Sequence, residues 1–176
     1  VSTKDLDTDF AGPFTFLMDM SMLGVGVGGD CKGAGKVKIQ TPRYTDEPYV
    51  VQDSREGWVD LMRTVLNSFV GKGYYPSEID WSQVRPAGSP INGFGGTASG
   101  PGPLQELVDS ITDLLMPKTD QPYKIGSTHI VDIFNLIGRC VVAGGVRRTA
   151  EIMFGEPNDD DFRSLKDPSD LNRWSE

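Results

Sequence analysis

The sequence predicts an α/β fold that belongs to a larger sheet structure. Three segments place apolar side chains at the spacing of a helix face, and short strand-like runs alternate with them along the 176 residues. The order is helix, strand, helix, strand, helix, helix, strand. Only three or four strands can be recognised, too few to cover the apolar faces of these helices. We therefore expect one partial domain whose sheet continues outside this chain.

The first elements are a helix, a glycine-rich turn and a strand. Residues 14–23 form an apolar run that predicts a short helix. The glycines of residues 24–29 predict a tight turn that leads into a strand, and another strand is expected over residues 36–40. These glycines also match G-x-G-x-x-G, but a dinucleotide site requires a preceding strand and a following helix. We therefore do not expect such a site here.

A second helix is predicted to begin after Asp53. Ser54 is its expected N-cap, because a serine hydroxyl can accept a hydrogen bond from a free amide of the first helical turn. Gly71 and Gly73 end the helix, and residues 78–84 can form a short strand. The apolar face of this helix is formed by Trp58, Leu61, Met62, Val65, Leu66 and Phe69.

Two further helices follow a long glycine-rich loop, which is expected over residues 85–103. The first of them ends at Pro117, and its inward side chains are predicted to be Leu104, Leu107, Val108, Ile111, Leu114 and Leu115. The second, over residues 127–142, is apolar on nearly every side, so we expect it to be buried. Its polar stripe is expected to form a buried, hydrogen-bonded group, and consists of Asp132, Asn135 and Arg139.

The remaining sequence predicts a strand over residues 149–154 and an acidic, solvated run over residues 156–161, with a short helix over residues 160–166. The formal net charge of −8 argues against a broad grip on nucleic acid, but not against a small nucleotide. No apolar run reaches transmembrane length and the first residues lack the pattern of a signal peptide. We expect no membrane partner and a cytoplasmic location.

Few side chains are candidates for chemistry. Cys31 and Cys140 form neither a C-x-x-C pair nor a zinc-binding pattern, so the sequence predicts no disulfide, metal site or catalytic residue. Cys140 is expected in the core, whereas Cys31 lies in a polar, glycine-rich stretch that can expose it. His129 is the single histidine, and its place at a helix start favours a surface or capping role.

Two glycine-rich segments are the better candidates for a ligand site. We call residues 89–100 the first glycine-rich segment and residues 143–149 the second. Glycine lets the backbone approach a ligand closely, and the two arginines of the second segment can pair with phosphate. Two alternatives remain open: a mobile surface linker for the first segment, and a helix C-cap with solvated arginines for the second. Together the segments favour a binding crevice.

A series of motifs occurs in a fixed order along nearly the whole chain. They are Pro-Phe-Thr-Phe-Leu at 13–17, Gly-Val-Gly-Val-Gly at 24–28, Arg-Glu-Gly-Trp-Val at 55–59, Arg-Pro-Ala-Gly at 85–88, Gly-Phe-Gly-Gly-Thr-Ala-Ser-Gly-Pro at 93–101, Asn-Leu-Ile-Gly at 135–138, Val-Val-Ala-Gly at 141–144, Val-Arg-Arg at 146–148 and Arg-Trp at 173–174. This ordered set resembles the class II, adenosylcobalamin-dependent ribonucleotide reductases, above all their monomeric ribonucleoside-triphosphate reductases.

The resemblance implies part of a ten-stranded α/β barrel with an inserted effector-binding region. Residues 1–30 would be a barrel segment, residues 31–103 the insertion with a first effector loop, and residues 104–176 the helices, a second specificity loop and a barrel strand. The family converts ribonucleotides to deoxyribonucleotides with a thiyl radical that adenosylcobalamin initiates. A deoxynucleoside triphosphate effector selects the base, and a thioredoxin-type protein is the reductant.

The resemblance also assigns the binding residues. In the family the first segment binds the effector, the second lies between effector and substrate, and Arg147 occupies the place of an arginine that reaches toward the substrate. The predicted effector- and substrate-binding residues are Ser89, Asn92, Gly93, Phe94, Gly95, Gly96, Gly144, Gly145, Val146, Arg147 and Arg148.

The catalytic groups of the family have no counterpart in this sequence. The family requires a thiyl cysteine flanked by Asn and Glu and a redox cysteine pair, and neither Cys31 nor Cys140 falls on these positions. Asn92 stands where a related branch has a phosphate-facing arginine. We expect the chain alone to be inactive, and to join the remaining pieces of an enzyme that holds adenosylcobalamin mostly through other residues. The alternative is a non-catalytic deoxynucleotide-binding module or split subunit.

Overall fold

The computed structural model describes residues 1–91, 95–143 and 148–167. Helices and short strands alternate, so the predicted α/β class is confirmed. In chain order the elements are α1 (Gly12–Met22), β1 (Val27–Asp30), β2 (Lys38–Ile39), β3 (Tyr44–Thr45), β4 (Tyr49–Val50), α2 (Arg55–Ser68), β5 (Tyr75–Pro76), β6 (Ile79–Asp80), α3 (Gly102–Leu115), β7 (Tyr123–Lys124), α4 (Ser127–Val142), β8 (Glu151–Phe154) and α5 (Asp160–Arg163).

Four helices pack side by side and enclose the core. α1 contacts α2 and α4, and α3 contacts α2 and α4. The ring of Phe14 on α1 meets that of Phe134 on α4 edge-on, with 5.8 Å between the centroids. Side chains of this size contribute about 1.5–3 kcal/mol each when fully buried. The helix bundle therefore supplies most of the apolar burial that stabilises the described fold.

The α2 helix forms where the sequence predicts it. The hydroxyl of Ser54 accepts a hydrogen bond from the amide of Gly57 at 2.9 Å, which confirms the predicted N-cap. Trp58 is half-buried, and the rest of the predicted apolar face is fully buried: Leu61, Met62, Val65, Leu66 and Phe69.

The α4 helix is capped by a segment that follows it in the chain. Gly126 at its N-cap has no side chain to offer, and the carboxylate of Asp161 instead accepts hydrogen bonds from the amide and the hydroxyl of Thr128, at 3.0 Å and 2.7 Å. The hydroxyl of Ser127 donates to Asp159. The acidic run of residues 156–161 was expected to be a solvated surface, and Asp161 is exposed while Asp159 is half-buried. The sequence did not predict that these two aspartates also hydrogen-bond the start of α4, where the amides of a helix N-terminus attract carboxylates.

The strands pair as four two-stranded sheets: β1 with β8, β2 with β7, β3 with β5, and β4 with β6. β1 and β8 are parallel, in a register that runs from Val27 opposite Glu151 to Asp30 opposite Phe154. A helix precedes the glycines of residues 24–29 and β1 begins among them at Val27, the reverse of a dinucleotide-binding motif. A Cβ on Gly29 would lie 2.5 Å from the ring of Phe134, so only glycine allows β1 to approach α4 this closely.

Two other expectations about burial are wrong. On α4, Asn135 and Arg139 are exposed and Asp132 is half-buried, because no strand covers this face within the described residues and Arg139 pairs with Glu106 on α3 at 2.6 Å. Cys31 was expected to be exposable but is only 4% exposed, since residues 31–36 turn back against the N-terminal segment.

The short strands were recognised only in part. The strand expected over residues 78–84 is limited to Ile79–Asp80. β3, β4, β5 and β7 have two residues each, too short to produce a recognisable pattern. Within the described ranges, no helix has both the length and the apolar character needed to cross a membrane.

Candidate functional site

The first glycine-rich segment forms a hairpin. The amide of Gly88 donates to the carbonyl of Ala98 at 2.9 Å, and the amide of Ala98 donates to the carbonyl of Ser89 at 2.8 Å. The amide of Ile91 donates to the carbonyl of Gly96 at 3.1 Å. Residues 92–94 at its tip lie outside the described residues. These backbone bonds show that the described part of the segment is an ordered ladder rather than a linker.

The two glycines that follow the tip need their conformational freedom. Gly95 has a φ of 72° and Gly96 a φ of 85°, values that side chains with a Cβ rarely adopt. Both residues are exposed, and their backbone amides make no hydrogen bond within the described residues. They are therefore available to oxygen atoms of a ligand.

A cleft of about 110 Å³ lies between the base of this hairpin and the start of α2. Its walls combine apolar side chains with arginine, aspartate and serine, and an indole lies among them. The lining residues are Met22, Asp53, Ser54, Arg55, Trp58, Val84, Arg85, Ile91, Ala98, Ser99 and Gly100.

An ion pair joins the hairpin to α2. The Nε of Arg85 donates to Asp53 at 2.7 Å, and one terminal nitrogen of the same guanidinium lies 3.5 Å from the carbonyl oxygen of Pro90 in the hairpin. Both partners remain about one-third exposed. Because Asp53 precedes the N-cap of α2, this guanidinium connects the helix start to one strand of the hairpin.

A second arginine at the cleft is neutralised in the same way. Arg55 pairs with Asp19 on α1, and its other terminal nitrogen lies 2.7 Å from Glu56. Each of the two cleft arginines thus has a carboxylate partner but keeps access to solvent. A phosphate could exchange with such a partner at modest cost, because exposed ion pairs contribute only about 0–1 kcal/mol.

The second glycine-rich segment is described only at its two ends, Ala143 and residues 148–149. Arg148 is exposed, and the hydroxyl of Thr149 donates to the carbonyl of Val25 at 2.9 Å and lies 3.2 Å from the hydroxyl of Ser21. Ser21 and the cleft residue Met22 are neighbours on α1. The described ends of both segments therefore adjoin the same C-terminal end of α1, as a shared crevice requires.

Comparisons with known proteins find relatives of the part of the chain that contains the cleft. Residues 31–115, which contain the hairpin and the cleft residues of α2, match the family model for the insertion domain of B12-dependent ribonucleotide reductase. The adenosylcobalamin-dependent ribonucleoside-triphosphate reductase of Euglena gracilis is 46% identical over 168 residues, which cover 94% of this chain and 23% of that protein. A probable enzyme of the same name from Dictyostelium discoideum is 44% identical over 183 residues, covering 94% of this chain and 24% of that protein.

A solved structure agrees with the sequence comparisons. The crystal structure of a B12-dependent (class II) ribonucleotide reductase matches with a TM-score of 0.73 and 29% identity, over 94% of this chain and 28% of that one. Over 94% of its length the chain is similar to class II ribonucleotide reductases. It spans about a quarter of the length of the curated relatives it matches. The resemblance inferred from the ordered motifs is thereby confirmed.

The binding residues inferred from the class II family fall into two groups. Ser89, Gly95 and Gly96 lie in the hairpin, and Arg148 lies beside the end of α1. The others lie outside the described residues: Asn92, Gly93, Phe94, Gly144, Gly145, Val146 and Arg147. Their binding roles stay predictions.

Sequence reasoning missed the residues that complete the cleft. Asp53, Arg55, Trp58 and Arg85 were seen only as a helix start or as parts of family motifs. A usable signal was present, because an arginine directly before a glycine-rich run must lie at the base of that loop. The charged residues at the start of α2 could then be considered as ion-pair partners of this arginine.

Both cysteines of this chain are buried. Cys140 is buried in α4. Burial raises the pKa of the Cys31 thiol to about 11, against a smaller opposing effect of the Ser127 hydroxyl, so this thiol stays protonated. Among the described residues, no three His, Cys, Asp or Glu side chains converge to hold a metal ion. His129 caps its own helix, with Nδ1 3.4 Å from the amide of Gly126.

The cleft between the hairpin and α2 does not fit adenosylcobalamin. Pockets for drug-sized ligands have volumes of roughly 300–1,000 Å³, and a corrinoid is larger than such ligands. The cleft of about 110 Å³ can hold no more than a ring-sized part of any ligand. A nucleotide with its charged groups outside the cleft matches this volume and lining better than a cobalamin does.

Proposed function

We propose that this chain is the effector-reading segment of an adenosylcobalamin-dependent ribonucleoside-triphosphate reductase. The observation that carries the proposal is the cleft between the hairpin and α2, within the stretch that matches the insertion-domain family. The intact protein would convert ribonucleotides to deoxyribonucleotides in the cytoplasm, with a thioredoxin-type reductant. Adenosylcobalamin would initiate that chemistry, held mostly by residues outside this chain.

The parallel pair β1 and β8 is proposed to be part of the ten-stranded barrel. Successive side chains of a strand point to opposite faces, and Glu151 faces α4. Ile152 and Phe154 therefore face away from α4, and both are more than half exposed. Parallel sheets are normally covered on both faces. An uncovered apolar face supports a sheet that the rest of the protein completes.

The cleft is proposed to receive the nucleoside part of a deoxynucleoside triphosphate, and the hairpin its phosphates. Apolar walls and the half-buried indole of Trp58 suit a planar base. The amides of Gly95 and Gly96, which make no hydrogen bond within the described residues, and the partly exposed guanidiniums of Arg55 and Arg85 suit phosphate oxygens. This division leaves the charged groups of the ligand where water can still reach them.

Calorimetry on the chain with the four deoxynucleoside triphosphates tests this proposal. Arg85→Gln keeps the length and polarity of the side chain but removes its charge, and we expect at least one nucleotide to bind about tenfold more weakly, or about 1.4 kcal/mol. Arg163→Gln is the matched control, because Arg163 also pairs with a carboxylate but lies on α5. Equal affinities of both variants and the wild type would contradict the assigned cleft.

The second glycine-rich segment is proposed to connect effector and substrate. Arg147→Ala in the intact protein should lower turnover and change the preference among bases, with little effect on cobalamin affinity. The readout is the ratio of kcat/KM values for two ribonucleotides with each effector present. Unchanged ratios and rates would refute the role of Arg147.

A non-catalytic deoxynucleotide-binding module is the second candidate. It is favoured by one observation: residues of this chain line the described cleft, while both cysteines are buried. We expect the 176-residue chain to bind nucleotides and to produce no deoxyribonucleotide with cobalamin and reductant present. Reduction by the longer protein would establish the enzyme. Its absence there, with nucleotide binding retained, would establish the module.

A further inference from the structure

One carboxyl oxygen of the described residues is buried without a hydrogen-bond partner. Glu151 is the first residue of β8 and follows closely after the second glycine-rich segment. Its Oε1 is inaccessible to solvent and makes no hydrogen bond. Buried polar atoms without a partner are rare in folded proteins, because each costs about 1–3 kcal/mol. Such a group therefore calls for a role that outweighs its cost.

The fold is shaped to receive this carboxyl group. A Cβ on Gly138 of α4 would lie 2.4 Å from Oε1 of Glu151 and 3.0 Å from its Cδ, so a side chain at position 138 would displace the carboxyl group from its present place. Val27 lies opposite Glu151 in the β1–β8 ladder and is itself buried. The carboxyl group is thus held between bare helix backbone and an apolar strand.

The nearby basic groups do not pair with Glu151 within the described residues. Arg139 follows Gly138 in sequence, but it is exposed and its guanidinium pairs with Glu106 on α3. Arg148, three residues before Glu151, is exposed and forms no ion pair within the described residues. Cys140, also on α4, is buried. None of these groups offsets a negative charge on Glu151.

The acidic groups of β1 and α1 also have their own partners. Asp30, at the far end of β1, accepts hydrogen bonds from the amide and hydroxyl of Thr3. Asp19 on α1 pairs with Arg55. Burial alone raises the pKa of Glu151 from its ordinary 4.5 to about 7, so the group changes charge near neutral pH.

We propose that Glu151 is a proton-linked positioning residue that sets how firmly the start of β8, and with it the end of the second glycine-rich segment, is held against α4. The neutral acid fits the apolar site on Gly138. The carboxylate favours conformations in which β8 separates from α4 and water reaches the charge. Nucleotide contacts made by the second segment would then weaken as the pH rises. This last consequence rests on the proposed function, whereas the local opening does not.

Hydrogen exchange of the full chain between pH 5.5 and 8.5 tests the local opening. After correction for intrinsic exchange, the protection of the amides of Glu151–Phe154 should fall about tenfold over this range in the wild type. Glu151→Gln, which cannot ionise, should keep its protection constant. Glu78→Gln is the control, because it removes an exposed carboxyl group and should behave like the wild type. Constant protection in the wild type, or an equal fall in Glu151→Gln, would overturn the proposal.

A second measurement does not depend on any variant folding. Carbon-13 NMR of the Glu151 side-chain carboxyl in the wild-type chain should show a titration midpoint near 7, and a midpoint near 4.5 would overturn the proposal. Nucleotide affinity measured across the same pH range then tests the functional consequence. If the chain binds no nucleotide, the proposed function fails while the exchange and NMR results still decide the role of Glu151.

Discussion

Gly100 and Gly35 have the same backbone conformation but different surroundings, which makes them a matched pair for substitution. Both have a φ of 74°. A Cβ on Gly100 would lie 2.9 Å from the backbone nitrogen and 3.2 Å from the Cβ of Ala87, at the base of the hairpin. A Cβ on Gly35 would meet nothing within 4 Å. The difference between the two alanine variants therefore isolates the contact with Ala87.

The expected free-energy changes follow from these contacts. The left-handed conformation costs a residue with a Cβ roughly 1–2 kcal/mol, and both variants should lose this amount of stability. Gly100→Ala must in addition displace backbone, and overpacking of this kind costs typically about 1–3 kcal/mol. For a chain of this size, 1 kcal/mol corresponds to a Tm shift of roughly 2–4 °C. Gly100→Ala should therefore melt clearly below Gly35→Ala.

The assay combines thermal unfolding with nucleotide calorimetry on both variants. Gly100 lines the cleft and Gly35 does not, so only Gly100→Ala should weaken nucleotide binding at a temperature where both variants are folded. If the two variants lose equal stability and bind nucleotide equally well, the contact between Gly100 and Ala87 does not shape the cleft.

Three further outcomes are expected. Ser54→Ala should destabilise the chain by about 1 kcal/mol through loss of the α2 cap, measured by urea unfolding, and an unchanged midpoint would contradict the cap. Burial alone would raise the pKa of Asp161, but the hydrogen bonds from Thr128 outweigh it and hold the pKa below 3.8. The stabilisation that the Asp161 carboxylate provides is therefore present above about pH 4 and is lost as the pH falls further. Asp161→Asn should lower the free energy of unfolding by about 1 kcal/mol at pH 7 and by almost nothing near pH 2. A cost that does not depend on pH would refute the charged cap. The Cys31 thiol should react with iodoacetamide at pH 8 far more slowly in the folded chain than in urea, whereas equal rates would show that it is accessible.

The long helices could be predicted from the sequence because their pattern is local. Each of α2, α3 and α4 repeats its apolar residues over three or more turns, and Ser54 marks a start that depends only on neighbouring amides. The family could be inferred because ordered motifs extend along nearly the whole chain. In both cases many residues contribute to one conclusion, so no single position decides it.

The errors concern contacts between distant segments. The capping role of Asp161 was missed because its partner, Thr128, is 33 residues away. Cys31 was expected to be exposable because its cover comes from the N-terminal segment. The polar stripe that includes Arg139 was expected to be buried because an apolar helix usually is. The sequence of a helix does not determine which other segments of the chain cover each of its faces. The cleft was missed for the same reason, since Asp53 and Arg85 meet only in three dimensions.

The pairing of β1 with β8 has a consequence for how this chain folds. The hydrogen bond between Thr149 and Val25, just before the ladder, closes a loop of 124 residues. Contacts of such high separation are slow to form, because the entropy of the intervening chain is lost before the contact stabilises anything. α2 and α3 lie inside that loop and depend mainly on local contacts. During synthesis they can form early, while β1 waits, with its backbone groups unpaired, until almost the whole described chain has emerged from the ribosome.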